Sequence, residues 1–115
     1  MRFTGKVFTV ELGEHCVRLR RTTGGVMEVW ADDEVQLSAG IGFAHACDRL
    51  VQMVVYRLVG QGGVSEHLRA GDNELRMDMF ARLMGFRRFA DQEWSGCPPQ
   101  TRRWIEAYCR GVNHY

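Results

Sequence analysis

The sequence predicts an α+β fold, a short N-terminal β ribbon over residues 1–31 followed by about four helices over residues 32–115. Three observations predict it. Apolar and polar residues alternate through Lys6–Leu12 and again through Cys16–Arg21, the two-residue period of a half-buried strand. Gly13-Glu14 and Thr22-Thr23-Gly24-Gly25 are turn signals, and the second leads into a returning strand, Val26–Trp30. From Asp32 onward the apolar residues recur instead at three- and four-residue steps, the spacing of one helix face.

In the ribbon, Phe8, Val10 and Leu12 share one face, and Val17 and Leu19 oppose Arg18 and Arg20. The arginines Arg18, Arg20 and Arg21 read as a solvated strand face rather than an anion site. So small a ribbon is marginally stable in water by itself, so it is expected to pack on further protein.

Asp32 and Asp33 are residue types that cap a helix N-terminus, and no proline follows until past Gly60, Gly62 and Gly63. One helix of nearly thirty residues is expected, about 40 Å long at ~1.5 Å per residue. Its first half is amphipathic through Val35, Ala39, Phe43, Ala46 and Leu50. Leu50–Val59 is apolar almost all round, interrupted by Gln52 and Arg57, and needs cover on most sides.

Val64–Arg69 reads as a short helix. A third starts at Asp72 as N-cap, with Leu75, Met79, Leu83 and Phe86 on one face and a kink at Gly85 before Phe86–Glu93. Asp78 and Arg82, four residues apart, are placed to pair. Trp94–Pro99 reads as a loop with a proline placed to start the last helix. That helix carries an apolar stripe of Trp104, Ile105, Tyr108, Cys109 and Val112.

At 115 residues the chain reads as one domain or part of one. Its net charge of +1 gives no electrostatic case for nucleic acid or a membrane surface as partner. Arg102, Arg103 and Arg110 beside Trp104 are interrupted by Glu106 and read as a solvated helix flank. The run Val35–Val59 holds His45, Asp48, Arg49 and Gln52, which argues against a transmembrane helix. Met1-Arg2 leads directly into a polar segment without a signal-peptide pattern, so the chain as written reads as cytoplasmic. The four cysteines, Cys16, Cys47, Cys97 and Cys109, form no CxxC pair and are expected to be free thiols, with Cys47 and Cys109 on apolar helix faces.

Four short patterns follow one another along the chain: Gly42-x-x-x-Ala46-x-Asp48-Arg49-Leu50-x-Gln52-Met53 with Arg57; Gln61-Gly62-x-Val64-x-Glu66-x-Leu68; Leu75-x-x-Asp78-x-x-x-Arg82-x-x-Gly85; and Tyr108-x-x-Gly111-Val112-Asn113. In this order and spacing they resemble the start of the α segment of penicillin acylases, N-terminal nucleophile hydrolases that include cephalosporin and acyl-homoserine-lactone acylases. The resemblance spans roughly Val17–Tyr115. Met27 and Glu28 depart from the family's Pro-His, and Cys47 from its usual Gln.

The resemblance implies that the ribbon and helices belong to the larger four-layer αββα fold of those enzymes. It also implies scaffold roles for Asp48, Arg49, Gln52, Glu66, Asp78, Arg82 and Asn113. Family members are precursors that cleave themselves and expose a serine as first residue of a β segment. The free α-amino group of that serine acts as base on side-chain amides of β-lactam antibiotics or on N-acyl homoserine lactones. The implied partner is therefore the downstream β segment, with a small-molecule amide as substrate of the complete enzyme. The resemblance implies no cofactor for this chain and leaves calcium as a possibility for the complete enzyme alone, and the periplasm is a common compartment for the family.

The residues present agree with a non-catalytic piece. Ser38, Ser65 and Ser95 sit in no Gly-x-Ser-x-Gly pattern, and His45 and Cys47, two apart on a helix, point to different faces. The spacing of His15, His45, His67, His114 and the cysteines matches no zinc site. Asp48-Arg49, in an apolar helix, is expected to be buried with hydrogen-bonded partners. No catalytic residue is expected before Tyr115, and the chain alone is expected to be inactive. The alternative is a standalone helical interaction module, a non-catalytic remnant of such an enzyme.

Overall fold

Alternation in the first thirty residues produces a three-stranded antiparallel sheet in the order β1-β2-β3, built from β1 (Val7–Leu12), β2 (His15–Arg21) and β3 (Met27–Trp30). The computed structural model describes residues 5–115, so the start of the expected ribbon and the Met1-Arg2 reading lie outside it. Val10 pairs with Val17, and Leu19 is flanked by Phe8 and Val29. This register puts the apolar set on one face, where Leu12, Val17 and Leu19 are almost wholly buried.

Helix α1 (Glu34–Gln61) begins where the carboxylate of Asp33 accepts the backbone N–H of Gln36 at 2.8 Å, so Asp33 caps it as its residue type suggests. The helix is not continuous as expected. Arg49 has φ −139° and ψ 18°, a non-helical conformation that breaks α1 in two. No glycine or proline sits within three residues of Arg49. The break follows the last buried position of α1, Ala46. Periodicity reports which face is apolar, not whether the axis stays straight, so it carries no sign of this break.

The remaining helices are α2 (Val64–His67), α3 (Asp72–Met84), α4 (Phe86–Gly96) and α5 (Pro99–His114). Gly71, not Asp72, is the N-cap of α3, and Asp72 is its first helical residue. Gly85 ends α3 and precedes α4 at φ 72°, left-handed backbone that favours glycine, so the expected kink is a full break. Helix α4 also takes up Trp94–Gly96, expected as loop. Pro99 opens α5 as expected. No helix among the described residues is long and apolar enough to cross a membrane.

The chain forms two compact units, one running through Leu50 and rejoined by Pro98–Tyr115, the other Val51–Cys97. The first has the larger core: Leu12, Val17 and Leu19 from the sheet, Ala39, Phe43 and Ala44 from α1, and Ala107 from α5. Here α1 and α5 pack backbone to backbone. A Cβ on Gly42 would lie 2.1 Å from the Tyr108 carbonyl oxygen, and one on Gly111 would lie 1.9 Å from that of Ala39. The face of α5 that packs is thus Ala107 and Gly111, while Ile105 and Cys109, members of the expected apolar stripe, are exposed. Small residues let the two backbones approach, and a reading weighted by side-chain size overlooks them.

In the second unit the helices are short of cover. Val51 and Leu83 are 79% and 85% exposed, and Val54, Tyr56, Leu75, Met79 and Phe80 are also open to solvent. The apolar half of α1 was expected to need covering protein; Val51, Val54 and Tyr56 lie bare there, and so does the apolar face of α3.

Candidate functional site

A buried polar cluster surrounds Asp78. A carboxyl on α3 with its own helix behind it can reach only what packs opposite, and here that is the start of α2. Asp78 Oδ1 accepts Val64 N–H at 2.9 Å, and Oδ2 accepts Ser65 N–H at 2.7 Å and the Ser65 hydroxyl at 2.6 Å. The carboxylate therefore caps, from a distance in sequence, the N–H groups that α2 leaves unpaired. Asp78 is 2% exposed. Burial by itself would raise its pKa, but the Ser65 and Val64 hydrogen bonds and the Arg82 charge outweigh it and hold the carboxyl below the ordinary carboxylate value.

Arg82 does not form the expected ion pair with Asp78. Its Nε donates to the Gly62 carbonyl at 2.8 Å, and a terminal nitrogen reaches Glu66 at 2.7 Å. Glu66, Asp78 and Arg82 are thus brought together, and all three fix the turn 62–66 between α1 and α3. Asp78 is turned to the start of α2 and Arg82 to Gly62 and Glu66, which is why the i, i+4 spacing misleads.

Asp48 and Arg49 are exposed rather than buried. Asp48 pairs with Arg21 of β2, which also donates to the Gly25 carbonyl at 2.7 Å. Arg21 is therefore not a freely solvated strand residue: it ties the hairpin loop to α1 just before the break. Arg20 pairs with Glu28 at 2.6 Å and lies over Trp30 on the outer sheet face. Gln52 donates to the Tyr56 hydroxyl at 3.0 Å on the exposed part of α1, and Asn113 is exposed near the end of α5. These residues each have their own surroundings and build no shared site with one another.

The candidate nucleophiles are equally committed. Ser65 gives its proton to a carboxylate that is a poor base because its pKa is lowered. Ser95 donates to the Asp91 carbonyl at 2.9 Å, within α4. Cys47 packs against the core of the first unit, where burial and the neighbouring Asp48 charge push its thiol pKa up, against Arg21. The ring of His45 faces Tyr108 instead of Cys47, its Nδ1 3.0 Å from the Tyr108 hydroxyl. Burial raises the Tyr108 pKa, assisted by Cys109. All four cysteines are free thiols, as expected. Among the described residues no three His, Cys, Asp or Glu side chains are grouped to hold a metal ion.

Sequence reasoning gave Arg21, Ser65 and Tyr108 other places: a solvated strand face, a serine set aside as nucleophile, and an apolar stripe. Only Ser65 had a local signal, a hydroxyl at the start of a helix that follows two glycines. The partners of Arg21 and Tyr108 lie 27 and 63 residues away.

Among the described residues the candidate nucleophiles and bases are not brought together into one centre, and comparison with known proteins relates the chain to a family. The penicillin amidase family model matches residues 16–115. A stretch of 75 residues is 40% identical to acyl-homoserine lactone acylase QuiP of Pseudomonas aeruginosa, covering 65% of this chain and 9% of that protein. QuiP of Pseudomonas putida is 33% identical over 86% of this chain and 12% of its own length. Penicillin acylase 2 proenzyme of a Pseudomonas species (strain SE83) is 28% identical over the same shares. The solved penicillin G acylase of Alcaligenes faecalis superposes with a TM-score of 0.77 and 30% identity, covering 86% of this chain and 52% of that one. The chain thus spans about a tenth of the length of these sequence relatives and about half of the solved chain it matches.

Proposed function

Because this chain belongs to the penicillin amidase family, we propose that it is the N-terminal part of the α segment of an amidohydrolase that cleaves the amide of N-acyl homoserine lactones. The larger fold is that of the N-terminal nucleophile hydrolases, to which its solved neighbour belongs. The observation that carries the reading is the mismatch between similarity and cover. The chain aligns along most of its length with a small part of much longer relatives, and its α1 and α3 apolar faces are bare where a further segment would pack. The lactone is favoured over a β-lactam side chain by the higher identity to the lactone acylases, 40% and 33% against 28%.

In this reading the chemistry divides between segments. The nucleophile is a serine hydroxyl at the first residue of a downstream β segment, and its free α-amino group, with a pKa near ~7.7 to 8, takes the proton at neutral pH. This chain supplies no attacking group. Its part is to hold the turn 62–66 through Asp78 and Arg82, to tie the ribbon to α1 through Arg21 and Asp48, and to offer the apolar faces on which the β segment packs.

The test is direct. The purified 115-residue chain is incubated with an N-acyl homoserine lactone and with a chromogenic phenylacetyl amide, and release of free amine is followed. No release is expected, and turnover by the chain alone would overturn the division of labour. The second reading, a standalone interaction module, draws on the same bare faces. A monodisperse chain that unfolds cooperatively would favour it, because exposed apolar patches of this extent otherwise promote association.

A further inference from the structure

The chain passes between the two compact units at two places, in α1 after Leu50 and beyond α4 before Pro98. Each place coincides with a departure from helical backbone. Arg49, at φ −139° and ψ 18°, is the non-helical residue inside α1, and Cys97, at φ −66° and ψ 129°, is extended between α4 and α5. Packing and backbone dihedrals thus draw the same boundary twice. A sharp kink ordinarily has a proline or glycine behind it, and Arg49 has neither within three residues.

At both crossings the side toward the first unit is held and the side toward the second is open. Before Arg49, Asp48 is paired with Arg21, which also donates to the Gly25 carbonyl at 2.7 Å. Beyond it α1 has no buried residue, and Val51 is 79% exposed. After Cys97, Pro98 and Pro99 restrict the backbone, and Pro99 opens α5. Before it, Gly96 is exposed, and a Cβ there would meet nothing within 4 Å. The second unit has its own packed centre in Val64, Asp78 and Ala81, all buried, so it can move as a body.

We propose that Arg49 with Leu50, and Gly96 with Cys97, form a two-strand hinge about which the helices between them turn. Hinges concentrate the torsional change in a few residues at element ends, flanked by bodies with their own packing. The hinge itself does not rest on the acylase reading. Only its use does: cover laid on the bare faces of α1 and α3 by a further segment would select one setting of the hinge.

The test compares label-to-label distances in the 115-residue chain by double electron–electron resonance. With Cys47→Ala and Cys97→Ser in place, labels on the exposed Cys16 and Cys109 report a pair inside the first unit. With Cys109→Ser and Glu93→Cys added, labels at positions 16 and 93 report a pair across the hinge. The second distribution is expected to be about twice as broad as the first, and equal widths would overturn the proposal. Limited trypsin digestion of the unsubstituted chain gives an independent readout. Arg49-Leu50 and Arg57-Leu58 are the same dipeptide in the same helix, and both arginines are exposed. Initial cleavage after Arg49 is expected to be about tenfold faster than after Arg57. Equal rates at the two bonds would likewise overturn the hinge.

Discussion

Asp78 illustrates how a single side chain can organise a turn that its sequence neighbours do not explain. Its carboxylate is buried and takes three donors from Val64 and Ser65. The direction of its pKa shift fixes the sign of a pH effect. The unfolded carboxyl titrates near ~3.9, and the folded one titrates lower. The unfolded state therefore takes up the proton first, so this contribution to stability is complete above about pH 4 and is lost as pH falls through the lower folded value. Urea unfolding midpoints should drop in that acid range, and Asp78→Asn should flatten the drop while lowering the midpoint at neutral pH. Ser65→Ala removes one of the three donors and should cost about 1.5 kcal/mol in the same experiment.

Asp48 makes the contrasting case. Its side chain is 40% exposed, and its Arg21 partner is within reach of solvent. Exposed ion pairs contribute little, so Asp48→Asn should change stability by no more than about 1 kcal/mol. A loss of several kcal/mol on urea unfolding would restore the buried-charge expectation that the sequence suggested. Cys47 gives a chemical readout of the same region. Its thiol is partly covered and its pKa is raised, so iodoacetamide at neutral pH should modify it after the exposed Cys16 and Cys109.

At the scale of elements, the helix pair α1–α5 depends on the absence of two side chains. Gly42→Ala or Gly111→Ala places a Cβ at about van der Waals overlap with a backbone carbonyl that cannot step aside. Each should destabilise the first unit by about 3 kcal/mol, measured by thermal or urea unfolding, and Gly60→Ala, where a Cβ meets nothing within 4 Å, serves as the control. Strands and helix ends were legible in the sequence where a local signal exists: the alternation around Val17 and Leu19, the Asp33 cap and Pro99 at the start of α5. The break at Arg49 was not, because the conformation of one residue in a regular apolar pattern leaves no mark on that pattern. The packing face of α5 was misread for a related reason. Tyr108, Ile105 and Cys109 carry the hydrophobicity, but Ala107 and Gly111 carry the close approach.

For the whole molecule, the family-like residues Glu66, Asp78 and Arg82 do converge, while Asp48, Arg49, Gln52 and Asn113 each sit in exposed surroundings. Asp48 pairs with Arg21 of β2, a tertiary neighbour that spacing along one helix does not encode, whereas Gln52 pairs with Tyr56 one turn on along α1. The expectation that Leu50–Val59 lacks cover was legible because it needed no partner to be identified: an all-round apolar helix is under-covered in a short chain. The structure bears that out in Val51, Val54 and Tyr56, and extends it to Leu75, Met79, Phe80 and Leu83 on α3.

The division of labour between this chain and a downstream segment is tested most directly by one comparison of hydrolysis. The 115-residue chain and the product of the gene's continuous reading frame are each supplied with an N-acyl homoserine lactone, and the free homoserine lactone released is quantified. Release by the longer product and none by the 115-residue chain is the predicted result. Turnover by the chain alone, or a longer product that folds and remains inert, would contradict it.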